Sequence, residues 1–378
     1  MGIRLTAQEN NVDIAILPFF KSAFSVEWDR YSYRTIGQNL TDVLSNVGVV
    51  INRCQSKNRR LNVSAIFESI GKAVINPQNI EYVCYSKLRT LLLFASNKIP
   101  IPKTVYASPN IFENVVNNGK IDNTNAIVKL LESELSEPFV IKPDYGTHGL
   151  GVTLINDNKD LVTKLQLVHP TVSNPTGFLA QELIQKWFFD LRIIVSKSKG
   201  RPAKCEPFAL ARGGFKDFRT NTFLGNMVFK VSLPPNVIEN AVKCASVLSG
   251  GQKAWVIGLD AMPRVSQVVE HDNQELRHKF EELHNNFENI SKIKKMPNRK
   301  QRFLEYTKAL DQAFLDYIST ENYSYIQDTI NQVLSYGSGE VVFHEGNSCP
   351  EFWEQTRAVA GINVAELLLS SAQSLVDR

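Results

Sequence analysis

A chain of 378 residues with 43% hydrophobic and 21% charged residues has the composition of an ordinary globular protein, long enough for two or three lobes. Its net charge of +4 is too small to mark a nucleic-acid binder, and its five cysteines (Cys54, Cys84, Cys205, Cys244, Cys349) form no C-x-x-C pair, which argues against a zinc site or a disulfide framework. No apolar run is long enough to span a membrane, and Gln8 to Asn11 and Pro18 interrupt any signal peptide, so the expectation is a cytoplasmic protein with reduced thiols.

In chain order, residues 1–80 read as a small α/β lobe. Val47-Gly-Val-Val-Ile-Asn52 is a short buried strand, Ser64 to Ile70 a helix stopped by Gly71, and Ala73-Val-Ile75 a strand before the turn Asn76-Pro77. A helix begins around Tyr85 and runs through Lys87 to Ser96. It ends before Ile99-Pro-Ile-Pro-Lys-Thr104, where two prolines enforce an extended segment. Strands follow at Phe139 to Lys142, Val152 to Ile155, Leu179 to Ile184 and Leu191 to Val195. Residues 236–249 form an amphipathic helix ended by Gly250-Gly251. From Leu276 to Leu334 the apolar residues recur every three or four positions. The spacing predicts two or three helices over 274–336, inserted into a β-hairpin of the C-terminal lobe. The basic run Lys292 to Arg302 within it is a solvated inter-helix loop or a docking patch for an acidic protein or peptide partner.

Several segments carry chemistry. Tyr145-Gly-Thr-His-Gly-Leu-Gly-Val152 joins two strands just after Lys142. Its glycines 146, 149 and 151 let backbone N–H groups approach phosphates, as in a flap over a triphosphate; a plain glycine hairpin is the alternative. Gln181-Glu-Leu-Ile184 ends an apolar strand whose backbone could meet an adenine edge. Asp190 and Arg192 share one strand face, and Arg212, Arg219 and Asn221 cluster beside a Gly-rich turn, suited to bidentate capture of phosphate or carboxylate or to a surface salt-bridge cluster. Trp255-Val-Ile-Gly-Leu-Asp260 and Val341-Val-Phe-His-Glu-Gly-Asn347 are apolar strands ending on acidic groups. Glu345 and Asn347, two residues apart, point the same way, and with Asp260 they form an all-oxygen set that suits Mg²⁺. Val268-Val-Glu-His-Asp-Asn273 is a looser rival for this role.

Taken in order, Lys87, Ile-Pro-Ile-Pro-Lys-Thr104, Val-Ile-Lys142, Gly-Thr-His-Gly-Leu-Gly151, Gln-Glu182, Asp-Leu-Arg192, Arg-Thr-Asn221, Gly-Leu-Asp260, Glu-Gly-Asn347 and Ala-Gly-Ile-Asn-Val-Ala365 resemble the signature of the ATP-grasp superfamily, and most of all its RimK-like carboxylate–amine ligase branch. The resemblance spans Val47 to Leu368 outside the helical insertion. It implies an α/β (α+β) ATP-grasp fold, with an N-terminal domain over 1–84 and an ATP-grasp domain over 85–378. The latter divides into a lid at 105–184 and a catalytic subdomain at 185–378. By this resemblance Lys87 and Lys142 contact ATP phosphates, with Gly146, Thr147, His148, Gly149 and Gly151 forming the flap. Glu182 and Leu183 form the adenine hinge, Asp190 lies near the ribose, and Arg219 and Asn221 face the phosphates. Asp260, Glu345 and Asn347 hold two Mg²⁺, with Mn²⁺ as an alternative ion. Arg212, with Arg192 beside it, steadies the reacting carboxylate and acyl phosphate.

The chain departs from the family pattern at Ser86-Lys87, at Gly225-Asn226, at Cys349-Pro-Glu-Phe352 and at Lys186-Trp-Phe-Phe189. These departures border the acceptor side and imply a substrate unlike those of the best-known relatives. The activity implied is ATP-dependent amide or peptide bond formation through an acyl phosphate, releasing ADP and phosphate, with an amino acid as one substrate. A peptide- or protein-modifying ligase that docks its partner on the insertion, and a non-catalytic ATP-binding regulator, are the alternatives. Neither a nucleic-acid nor a membrane partner is expected; a homo-oligomer is compatible with the family.

Overall fold

The computed structural model describes residues 2–108, 123–146, 149–157, 160–161, 163–164, 177–220, 222, 225–265, 273–336 and 340–376. Strands β1 (Ser22–Val26), β2 (Tyr31–Thr35) and β3 (Gln38–Asn39) form an antiparallel meander that the sequence reading left without structure. Beside it β4 (Val49–Ile51) and β5 (Ala73–Ile75) pair in parallel, joined through the helix Lys57–Ser69. A parallel pair needs such a crossover. Ser56 caps that helix by accepting from the Arg59 N–H, and Gly71, at φ +78°, turns the chain out of it.

Two helices, Gln78–Tyr85 and Lys87–Ser96, occupy the region where one was expected to begin. Ser86 separates them. It is extended at φ −110° and ψ 131°, and its hydroxyl oxygen accepts from the Arg89 N–H as the cap of the second helix.

The region expected to form the lid holds a four-stranded antiparallel sheet, β6 (Thr104–Ala107), β7 (Phe139–Pro143), β8 (Thr153–Ile155) and β9 (Phe178–Glu182), in the order β6-β9-β7-β8. Leu131 and Leu135, from and just after the helix Asn123–Glu134, pack with Phe139, Ile141, Ile155 and Phe178 to give it a core of its own.

The C-terminal sheet holds β10 (Phe189–Lys197), β11 (Lys204–Cys205), β12 (Phe208–Gly213), β13 (Met227–Ser232), β14 (Trp255–Pro263) and β15 (Val341–Asn347). Its order is β13-β12-β10-β14-β15, with β11 paired to β10. The helix Pro235–Ser249 packs against it and ends at Gly250, which is left-handed at φ +56°. Between the antiparallel partners β14 and β15 lie three helices, Asn273–Lys294, Phe303–Ile318 and Glu321–Tyr336. The apolar stripes read from the sequence, among them Leu276, Leu283, Phe314 and Ile330, are buried in the same core as the sheet.

These helices cover the free edge of β13. Tyr317 Oη donates to the Val228 carbonyl, the Lys230 N–H donates to Tyr323 Oη, Gln327 donates to the Lys230 carbonyl, and the Ser232 N–H donates to Asn331. Alternate residues of an edge strand aim their backbone groups outward, and here side chains of the insertion take up four of them. The insertion is therefore part of the lobe.

Candidate active site

Antiparallel register lines up charged residues across one face of the C-terminal sheet. Asp190 of β10 lies opposite Arg212 of β12, Arg192 of β10 opposite Asp260 of β14, and Asp260 opposite Glu345 of β15. Arg212 forks onto Asp190 through two hydrogen bonds of 2.8 Å and reaches Asp260 at 3.2 Å. Arg192 forks onto Asp260 in turn, with Nη2 to Oδ2 at 2.9 Å. Burial would raise the Asp260 pKa, but Arg192 and Arg212 hold it well below the usual carboxylate range. Asp190 is likewise lowered, against burial, by Arg212 and Lys186. Both oxygens of Asp190, the residue the resemblance puts near a ribose, thus already accept from Arg212.

Two buried lysines complete the charge pattern. Lys142, on β7 of the lid, has its pKa lowered to about 7 by burial and by Lys87. Lys87 is also lowered by burial, and its ammonium donates to the carbonyls of Pro143, Asp144 and Gly146 at 3.2–3.3 Å. It therefore anchors the root of the glycine flap. Asp144, buried beside it, accepts from Ser86 Oγ and from the Leu88 N–H at the start of the helix Lys87–Ser96. In place of the family's Asp-Lys, this chain offers Ser86 as a cap and a carboxylate two residues after Lys142.

The acidic strand β15 is not regular. Its register jumps between Asp260 and Ala261, which face Glu345 and Phe343, leaving His344 as an extra residue. In an unbroken strand Phe343 and Glu345 would share a face. The bulge lets Phe343 meet Phe94 in the core while Glu345 turns to the charged face beside Asp260. It also swings His344 toward that face, where Lys142, Asp260, Glu345 and Asp190 all act on it. Burial and Lys142 lower its pKa to about 4, and its Nε2 is buried with no hydrogen-bond partner among the described residues. Glu345 is pulled down to about 2, against burial, by Lys87 and Lys57.

The remaining expected residues are spread around this face. Glu182, at the end of β9, accepts from Arg264 at 2.6 Å and from the Lys103 N–H at 2.7 Å, and Leu183 follows it. Gly149 and Gly151 both sit at φ +73°, and a Cβ on Gly151 would press on Pro143 at 3.2 Å, so this turn calls for glycine. Gly146 lies 3.6 Å from the Lys87 ammonium by the same measure. Arg219 is held by Asp217 and donates to the Gly149 carbonyl at 3.4 Å, which ties its loop to the flap. Thr147, His148 and Asn221, and the rival strand at 268–272, lie outside the described residues.

The oxygens of Asp260, Glu345 and Asn347 suit a hard divalent cation: two ionised carboxylates face each other across strands, and an amide follows on the same face. Among the described residues no trio of His, Cys, Asp and Glu side chains gathers at one point, so the set is two carboxylates and one amide. The Asn347 Oδ1 already accepts from the Cys349 N–H at 2.9 Å, which fixes the amide and leaves its second lone pair.

Sequence reasoning missed Lys57, whose ammonium lies 3.5 Å from Glu345, and His344. It also missed Lys186, noted only as a departure, whose pKa is lowered to about 8 by burial and which donates to Thr220 at 3.0 Å. The signal for Lys57 was its place just beyond the carboxyl end of the parallel strand β4, where such sheets bind ligands.

A family model described as the RimK-like ATP-grasp domain matches residues 84–274, half of the chain, and stops where the inserted helices begin. Glu345 and Asn347 lie beyond it, brought beside Asp260 by the β14–β15 pairing. Over 233 residues the chain is 27% identical to the alpha-aminoadipate–LysW ligase LysX of Sulfolobus acidocaldarius, covering 61% of this chain and 75% of that protein. It is 28% identical over 201 residues to the coenzyme gamma-F420-2:alpha-L-glutamate ligase of Methanocaldococcus jannaschii, covering 51% of this chain and 58% of that one. D-alanyl-alanine synthetase A of Vibrio cholerae O1 superposes with a TM-score of 0.55 at 8% identity over 94% of this chain and 84% of its own, a likeness of fold. Among the described residues no helix is long and apolar enough to cross a membrane.

Proposed function

The chain belongs to the RimK-like ATP-grasp family and is an ATP-dependent carboxylate–amine ligase, and on that premise we propose that it forms an amide bond with an amino acid as one substrate. The row Arg212, Asp190, Arg192, Asp260 and Glu345, lying beneath Lys142 and Lys87, carries this reading. The substrate carboxylate takes the γ-phosphoryl group of ATP, giving an acyl phosphate and ADP. The amine then attacks the carbonyl carbon, releasing phosphate and a proton.

Two Mg²⁺ ions held by Asp260, Glu345 and Asn347 would neutralise phosphate charge when bound. Lys142 meets the phosphates from the lid. Arg212, pre-set by Asp190, faces the charge that builds on the carboxylate and acyl phosphate, so little reorganisation accompanies the reaction. Lys87 holds the flap root and Arg219 ties to Gly149, which supports closure of the flap and exclusion of water from the acyl phosphate. ADP release from ATP, Mg²⁺ and pools of amino acids tests this. Amino-acid-dependent ADP that vanishes with Glu345→Ala supports the reading; no such dependence overturns the amino-acid substrate.

A second reading, docking of an acidic peptide or protein at the insertion, has one observation behind it. Lys292, Lys295 and Lys300 are exposed, while Lys294 pairs with Glu354 at 3.3 Å in the loop that follows Asn347. Tyr306 also donates to Glu354, and Arg357 pairs with Asp311, so the insertion braces the loop next to the site. Neutralising Lys292, Lys295 and Lys300 together should weaken binding of an acidic peptide substrate without altering the melting temperature; unchanged binding excludes docking there.

A further inference from the structure

The bulge in β15 presents a side chain that the reading above does not use. His344 is the residue without a cross-strand partner, and the charged groups acting on it are Asp260, Glu345 and Asp190, on the face assigned to nucleotide and metal, and Lys142, which reaches it from β7. Its Nε2 is buried, yet among the described residues no hydrogen bond reaches it. Leaving a buried ring nitrogen unpaired costs free energy, and strands keep bulges beside active sites when the bulge re-aims a side chain. A regular strand would also have kept Phe343 and Glu345 on one face, so the extra residue has two effects: it turns Glu345 outward and it supplies an imidazole.

We propose that His344 is a nucleotide-contacting residue whose Nε2 donates a hydrogen bond to a phosphate oxygen of the bound nucleotide. The inference rests on nucleotide binding at this face. It does not depend on the charge state of the ring, because an imidazole and an imidazolium can each donate from Nε2. Lys142 brings positive charge from the lid to the same place, and a divalent cation on Asp260 and Glu345 would offset their negative charge, so a phosphate oxygen is the acceptor that fits the loaded site. His344 then adds direction where Lys142 adds mainly attraction.

The test uses the full-length protein, Mg²⁺ and ADP. Dissociation constants are measured calorimetrically for the wild type, His344→Leu and His344→Gln, and the histidine ring nitrogens are followed by ¹⁵N NMR. The His344 signals are assigned by their loss in His344→Leu. The expected result is a His344 Nε2 shift on ADP addition, weakening of about ten-fold in His344→Leu, and substantial recovery in His344→Gln, whose amide can donate. Wild-type binding with no Nε2 shift and no weakening in His344→Leu would overturn the role of His344 while leaving the ligase reading intact. Failure of the wild type itself to bind ADP would overturn both. Should His344→Leu fail to fold, His344→Gln supplies the assignment by the same loss of signal and the wild-type Nε2 shift decides.

Discussion

The backbone N–H of Lys230, on the edge strand β13, donates to the hydroxyl of Tyr323 at 2.9 Å. That contact makes the insertion a substitute for the strand that would otherwise pair there. Tyr323→Phe removes the acceptor and leaves the N–H unpaired, for a loss of about 1–3 kcal/mol. A lowered thermal midpoint with ADP affinity unchanged is the expected outcome. Affinity that falls with full stability retained would mean that the insertion reaches the site by another route.

Lys142 carries a burial cost in the free protein. Its folded pKa of about 7 lies below the ordinary lysine value, so the folded chain binds fewer protons than the unfolded chain between about pH 7 and pH 10.4. Stability contributed through this group therefore rises with pH across that window, and the cost is fully present below pH 7. Lys142→Met should raise the melting temperature at pH 6, with the gain shrinking as pH climbs above 7, and should weaken ADP binding. Melting curves across pH, paired with calorimetry, check both halves.

Asp190 has two readings that kinetics can separate. If it positions Arg212, Asp190→Asn lowers kcat by about 10²-fold while the ADP dissociation constant holds, because a misplaced arginine costs most when charge develops. If it contacts the ribose, ADP affinity falls instead. The two 2.8 Å hydrogen bonds from Arg212 favour the first outcome.

Much of the fold was legible because local signals were strong. The strand Ala73–Ile75 and the helix Lys87–Ser96 lie where the apolar runs and the flanking Gly71 and prolines put them. The insertion's stripes named its buried residues. The β1–β3 meander was not legible, since its strands are short and partly exposed and carry little alternation. Within the site, the shared face of Glu345 and Asn347 followed from strand periodicity. His344 did not, because a bulge suspends that periodicity and is set by register with a strand 85 positions earlier, where Asp260 faces Glu345 and Ala261 faces Phe343, leaving His344 unpaired. Lys57 escaped for a related reason: its partner Glu345 lies 288 residues away, and only the packing of two lobes joins them.

The account's central claim is that a carboxylate oxygen, and not water, attacks ATP above the Asp260–Glu345 row. Running the reaction in H₂¹⁸O with unlabelled substrates, and reading the released phosphate by mass spectrometry, tests it directly. Ligation through an acyl phosphate leaves the phosphate free of ¹⁸O, since its new oxygen comes from the substrate carboxylate. Phosphate carrying one ¹⁸O would mean that water attacks the γ-phosphate, and would contradict the account.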